Sequence, residues 1–239
     1  YDYLEQYDKA NLDYTKAIEL DPKNLNAYYN IARLYTDLKQ YDKADLNYSK
    51  AIKIDDKDPA AYYKRAVLYC ELEQYDKAEL DLNKAIEVAP KIIDGYFFRA
   101  KFYIKLNKYE KALFDYTIAI GLDSKDPESY YWSGIIYYDQ NKYLRAINMF
   151  TITINKLKDF GFGQDIISKS SGYYVSFFAD FLQIYTKEYN NINGEQQLAN
   201  VFLKRGEVYA KIKESELMCE DYQKACELGD CEMLNTHCK

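Results

Sequence analysis

Aromatic and small apolar residues alternate with polar ones along this chain in two helical stripes that return together at a fixed interval. Counting Leu25 as position 1, position 4 holds Tyr28, Tyr62, Tyr96 and Tyr130, position 8 holds Ala32, Ala66, Ala100 and Gly134, and position 11 holds Tyr35, Tyr69, Tyr103 and Tyr137. Steps of four and three positions put these side chains on one face of a first helix. A second stripe follows: position 20 is Ala44, Ala78, Ala112 and Ala146, position 24 is Tyr48, Leu82, Tyr116 and Phe150, and position 27 is Ala51, Ala85, Ala119 and Thr153. Small residues at 8, 20 and 27 let two helices approach closely, and the aromatics at 4, 11, 17 and 24 fill the space beside them.

The tetrapeptide YDKA marks the period. It stands at Tyr7, Tyr41 and Tyr75, and blurs to YEKA at Tyr109 and YLRA at Tyr143, always at the same interval. Its Tyr closes the corner between two helices, its Asp sits in the first turn of the second helix, where negative charge is favoured, and its Ala is the contact point. Asp58-Pro59 and Asp126-Pro127 each supply an N-cap followed by Pro at the first helical position, so first helices start there.

A period of 34 with two helices per unit resembles the tetratricopeptide repeat family over most of the chain. Residues 25–160 read as four full units. Residues 1–24 read as a truncated unit, mostly its second helix, and residues 161–198 as a degenerate unit with an insertion, carrying a short helix near 164–170 and a clear one near 172–189. Residues 199–239 read as a final unit, with Phe202, Gly206, Tyr209, Met218, Tyr222 and Ala225 in the motif positions, closed by a C-terminal capping helix. The fold implied is all-α, a right-handed superhelical solenoid of antiparallel helix pairs. The family's Trp at position 4 is Tyr throughout.

Composition narrows the function classes. Of 239 residues, only 9 are Gly and 4 are Pro, too few for the turns of an all-β fold. Net charge is −6 and no Lys/Arg run occurs, so the footprint of a nucleic-acid binder is absent. The most apolar stretch, residues 173–185, is broken by Ser176 and Asp180 and does not reach membrane-spanning length. The chain opens at Tyr1 with neither initiator Met nor signal peptide, which reads as a piece of something longer.

Catalytic chemistry finds no foothold. The single His, His237, lies in the tail, Gly161 to Gly163 lacks the third Gly of a dinucleotide loop, and no cofactor or metal is expected. Of five Cys, four crowd the end at Cys219, Cys226, Cys231 and Cys238, spaced unlike a zinc knuckle. They are expected as packed, reduced thiols, ahead of a local disulfide or a metal site, and a cytoplasmic location is the corresponding default.

The resemblance implies that positions 2, 5, 9, 12 and 13 look inward and line a partner-binding groove. Position 5 is Tyr29, Tyr63, Phe97 and Tyr131, position 9 is Arg33, Val67, Lys101 and Ile135, and position 12 is Thr36, Cys70, Ile104 and Tyr138. The expectation is a protein-interaction scaffold without catalysis, with an aromatic ladder holding a peptide and Arg33 and Lys101 selecting an acidic group. The aromatics at position 5 rule against a chaperone-type carboxylate clamp, which needs Lys there. They also have a plainer reading, as support for neighbouring helices. Two alternatives stand beside the scaffold: a self-assembly module using the aromatic 172–189 helix, and a regulatory arm of a larger protein.

Position 7 is Arg in three units, and the same units carry Asp at position 23: Arg65 with Asp81, Arg99 with Asp115, and Arg205 with Asp221. Where position 7 is Ile31 or Ser133, position 23 is Asn47 or Met149. An Arg–carboxylate pair joining the two helices of a unit is the simplest account, since a carboxylate at that interface without its Arg is an uncompensated charge.

Overall fold

The computed structural model describes residues 2–159 and 194–238. Within them every regular element is a helix. They fall into two compact units, residues 1–99 and 100–239. The first holds α1 (Asp2–Leu20), α2 (Leu25–Asp37), α3 (Tyr41–Ile54), α4 (Pro59–Glu71) and α5 (Tyr75–Val88). Helix α6 (Ile93–Lys105) runs across the division. The second unit continues with α7 (Tyr109–Leu122), α8 (Pro127–Asp139), α9 (Tyr143–Asp159), α10 (Gly194–Lys211), α11 (Ser215–Glu227) and α12 (Glu232–His237). Consecutive helices pack as antiparallel pairs: α2 on α3, α4 on α5, α8 on α9 and α10 on α11.

Capping sets where the first helices begin. Asn24 accepts from the Ala27 amide, Asp58 from Ala60, and Asp126 from Glu128 and Ser129. Each turn between paired helices is the same, with a left-handed residue at position 15: Lys39, Glu73, Asn107, Asn141 and Lys213 have φ between 56° and 65°. The following amide reaches back across the turn, as Gln40 to the Tyr35 carbonyl and Gln74 to the Tyr69 carbonyl, both at 2.8 Å.

Three residues of the tetrapeptide now have a structural role. Its Ala is fully buried in every full unit. Its Lys lies over the position 11 ring of its own unit, Lys43 on Tyr35 and Lys77 on Tyr69 at 5.2 Å each and Lys111 on Tyr103 at 4.9 Å. The Tyr hydroxyl donates to the turn where the turn is Asn, as Tyr143 does to Asn141 at 2.7 Å. The position 11 rings also tie neighbouring units together, Tyr35 donating to Asn11 and Tyr69 to Asp45.

Two of the arginines at position 7, Arg65 and Arg205, each bridge three helices. Arg65 donates through Nε and Nη2 to both carboxylate oxygens of Asp81, at 2.8 and 2.7 Å, and through Nη1 to Ser49 on α3. Arg205 repeats this with Asp221, both at 2.7 Å, and with Thr151 on α9 at 2.8 Å. Arg99 donates to Asn83 at 2.6 Å. Ser49, Asn83 and Thr151 all occupy position 25 of an earlier unit, a partner the sequence pattern had not suggested. Asp81, Asp115 and Asp221 are buried.

Two expectations change. Residues 160–193, and with them the proposed helices near 164–170 and 172–189, lie outside the described residues. What is described is that α10 packs directly on α9, with Arg205 bonded to Thr151 and Lys158 5.5 Å from the centre of the Phe202 ring. Helix α10 begins at Gly194, inside the span 161–198 expected of the degenerate unit.

The second change concerns the terminal cysteines. They are paired, Cys219 with Cys238 and Cys226 with Cys231, rather than reduced, and Cys70 is buried outside both bridges. The turn at Gly229 (φ 103°) brings α12 back along α11, so Cys226 and Cys231 stand 4.1 Å apart at Cα. A cytoplasmic default resting on free thiols loses its ground.

Burial outweighs the neighbouring guanidinium at Asp81 and pushes its carboxyl up from the usual range. The pair therefore fixes how the helices meet more than it stabilises them. Arg65→Ala should destabilise by about 3 kcal/mol by stranding Asp81, whereas Arg65→Met with Asp81→Leu should come within about 1 kcal/mol of the parent in urea unfolding. Equal losses for the single and double variants would contradict this. Helix α12 buries no residue of its own, so its attachment depends on the two bridges. Reduction should raise hydrogen exchange over residues 230–238 by at least about tenfold while α8 and α9 keep their protection.

Candidate functional site

The first helices carry the sequence-predicted site, and each unit holds a separate share of it. In the first unit Tyr29, Arg33 and Thr36 lie on α2, Tyr63, Val67 and Cys70 on α4, and Phe97 on α6. In the second, Lys101 and Ile104 lie on α6 and Tyr131, Ile135 and Tyr138 on α8.

The position 5 rings are not an open ladder. Tyr29, Tyr63, Phe97 and Tyr131 are only 2% to 8% exposed, and Val67, Cys70 and Ile104 are buried with them. Tyr63 packs 4.8 Å from Phe98, and its hydroxyl together with Ile86 occupies the space where a side chain at residue 95 would begin. Gly95 is the residue that lets this ring in. Tyr131 packs against Trp132 and Phe150 at 5.6 and 5.9 Å. Tyr29 donates its hydroxyl to Asp58, the N-cap of α4, which ties α2 to the start of the next first helix. The plainer reading, support between helices, describes these rings.

Charge separates the two units. Lys101, read as a selector of acidic groups, is buried and pairs with Glu128 at 2.8 Å. The Trp132 ring lies beneath its ammonium at 5.5 Å and donates its indole N–H to the same Glu128 oxygen. That cation is already neutralised within its own unit. Glu128 also helps burial push the Asp126 carboxyl up to about 6, against the Ser129 and Glu128 amides that bond it.

Arg33 differs. It is exposed, and among the described residues it has no ion-pair partner. Its neighbour is Lys64 on α4, whose ammonium lies 5.5 Å from the centre of the Tyr29 ring. Burial, reinforced by repulsion from Arg33, pulls the Lys64 amine down to about 8, with Asp58 opposing. Thr36 donates to the Ala32 carbonyl below Arg33. The hydroxyl of Tyr48 is buried there, and burial first, then Glu71, pushes it up.

Sequence reasoning missed Lys64 and Glu128 as site residues. Position 6 stands four places after position 2 and three before position 9, so helical spacing alone places Lys64 beside the predicted inner positions. Position 2 was among those positions, yet the carboxylate of Glu128 went unmatched to Lys101. Among the described residues no three metal-ligating side chains come together, and no helix is long and apolar enough to cross a membrane.

Family models described as tetratricopeptide repeat or TPR repeat match residues 1–24, 13–45, 32–72, 59–92 and 100–141. No curated protein matches by sequence. Among solved structures, YrrB, described as a TPR protein with an unusual peptide-binding site, is 21% identical with a TM-score of 0.55, over 94% of this chain and 96% of its own. PilF of Pseudomonas aeruginosa is 15% identical with a TM-score of 0.60, over 99% of this chain and 91% of its own. PilW, a type IV pilus biogenesis factor, is 14% identical with a TM-score of 0.63, over 99% and 92%. The similarity to these structures is one of fold; the matching family models, spread over more than half of the chain, show that the chain belongs to the tetratricopeptide repeat family.

Proposed function

We propose that this chain is a non-catalytic protein-interaction scaffold whose first unit holds an acidic peptide segment on its first-helix face, between Arg33 of α2 and Lys64 of α4. Membership of a family of interaction scaffolds supports the general reading, as does the likeness to a protein described as having a peptide-binding site. A net charge of −6 argues against nucleic acid as the partner. The observation that carries the acidic preference is the juxtaposition of two cations, Arg33 and Lys64, with the Lys64 amine held down at about 8. A carboxylate seated between them relieves the repulsion and restores the Lys64 charge.

The rings of Tyr29, Tyr63, Phe97 and Tyr131 are buried and offer a partner no open ladder. Changing Tyr63 or Phe97 to Ala would excavate the packing beneath the surface, so the informative variants are the charged ones.

A fluorescent peptide carrying two adjacent glutamates among leucines should bind about tenfold more tightly than its glutamine counterpart. Arg33→Gln with Lys64→Met should erase the difference while leaving the helical signal unchanged. Equal affinity of the two peptides for the parent chain would overturn the reading. The pH dependence has a definite sign. Before a peptide binds, the Lys64 amine sits below its ordinary 10.5, and binding favours its charged form. Affinity for the acidic peptide should therefore be full near pH 6.5 and fall as pH rises through about 8. Lys64→Arg should shift that fall beyond the range in which the fold survives, and Lys64→Met should abolish it.

A further inference from the structure

The second helices present a different face, and it too is periodic. Leu12 on α1, Leu46 on α3 and Leu80 on α5 all occupy position 22, and they are 54% to 68% exposed. Phe114 holds the same position in the second unit and is similarly exposed. The rule ends at Asn148 and Glu220. Single exposed leucines need no explanation. Three in register on consecutive second helices of one unit, each recurring with the period of the array, form a row.

The flanks of the row are charged, and in a fixed order. One helical turn before each leucine stands an exposed Asp: Asp8, Asp42 and Asp76. One turn after stands a Lys: Lys16, Lys50 and Lys84. Among the described residues Asp8, Asp42, Asp76, Lys16 and Lys50 have no ion-pair partner, while Lys84 reaches Glu87 at 2.7 Å. Lys43 and Lys77, next in the chain to two of these aspartates, lie over the Tyr35 and Tyr69 rings of their own units. The face is thus three parallel rows, acidic, apolar and basic.

We infer that this face of the first unit docks a second copy of the same chain, the leucine rows meeting about a two-fold axis that runs along them. An axis in that direction turns the partner's helices end for end, so its basic row falls on the acidic row and its acidic row on the basic one. The leucine rows then lie against each other and both charge rows are matched at once. An axis parallel to the helices would instead set Lys on Lys and Asp on Asp. The order of the rows selects the antiparallel arrangement, and the contact is isologous and self-limiting. Its apolar area is small, which places it among weak, reversible interfaces with a strong electrostatic component.

Sedimentation velocity of the full chain at up to about 200 µM reads the result. The parent should show a monomer–dimer equilibrium that shifts toward monomer at about 0.5 M salt, where the screening length falls to a few ångström. Leu46→Asp with Leu80→Asp should weaken self-association at least about tenfold. All of these side chains are exposed, and circular dichroism checks that folding is retained. Charge exchange gives the sharper reading. Asp42→Lys with Asp76→Lys leaves rows of one sign, and Lys50→Asp with Lys84→Asp leaves rows of the other. Each variant alone should be monomeric, and an equimolar mixture should form a heterodimer. A parent that stays strictly monomeric, a dimer indifferent to the leucine changes, or a mixture that does not associate would each overturn the inference. None of these outcomes bears on the acidic peptide site, whose residues lie on the first helices.

Discussion

A pair of helices this short cannot cover its own apolar stripes. Each pair here needs a neighbour on either side, and the close approach that makes this possible is set by Ala at positions 20 and 27, which is wholly buried in the units at 25–58, 59–92 and 93–126. Everything else is arranged around that contact. Bulky rings at position 24, such as Tyr48 and Tyr116, fit only because small residues face them. Polar groups caught at the same interfaces must be satisfied locally, and the arginines Arg65 and Arg205 do this by reaching the aspartate of their own pair and the hydroxyl of the pair before. In a quasi-one-dimensional array such nearest-neighbour ties set the coupling between units.

This explains why so much of the fold was legible in the sequence. The period, the capping Asp-Pro pairs and the small-residue contacts are local, and helix geometry translates them directly into structure. The Arg65–Asp81 and Arg205–Asp221 pairs were legible because the two residues vary together between units. What was not legible depended on a neighbour of unlike sequence. The Tyr63 ring is buried because Gly95 opens space for it, and nothing at position 5 reports on residue 95. The direct seating of α10 on α9 was hidden because residues 160–193 intervene where the motif would otherwise continue. The spacings of seven, five and seven among the late cysteines fit no metal motif, and only the reversal at Gly229 makes them pair.

The site shows the same dependence in its charges. Lys101 and Arg33 occupy the same position in different units and have opposite fates. Lys101 meets Glu128 from the following first helix and an indole ring, so its charge is consumed in joining α6 to α8. At the equivalent place beside Arg33 the following helix offers Ala60 in place of a carboxylate, and Lys64 in place of Trp132. One substitution removes the internal counter-ion and the other adds a second cation. A repeat position therefore does not carry a role by itself; the role emerges from positions 2 and 6 of the next unit.

The two faces of a helix pair are chemically independent for a geometric reason. First helices present positions 2, 6 and 9 to one side, and second helices present positions 18, 22 and 26 to the other, with the alanine contact between them. Exposed charges on the two faces act on each other mainly through water, where salt weakens them. Association of two chains through the leucine rows would leave Arg33 and Lys64 of both copies accessible. Two peptide sites would then be carried on one particle, and a partner with two acidic segments would gain from the second by effective concentration rather than by any new contact. A weak isologous interface is adequate for this, because divalent engagement multiplies modest affinities, and its reversibility leaves the array free to act singly when the chain is dilute.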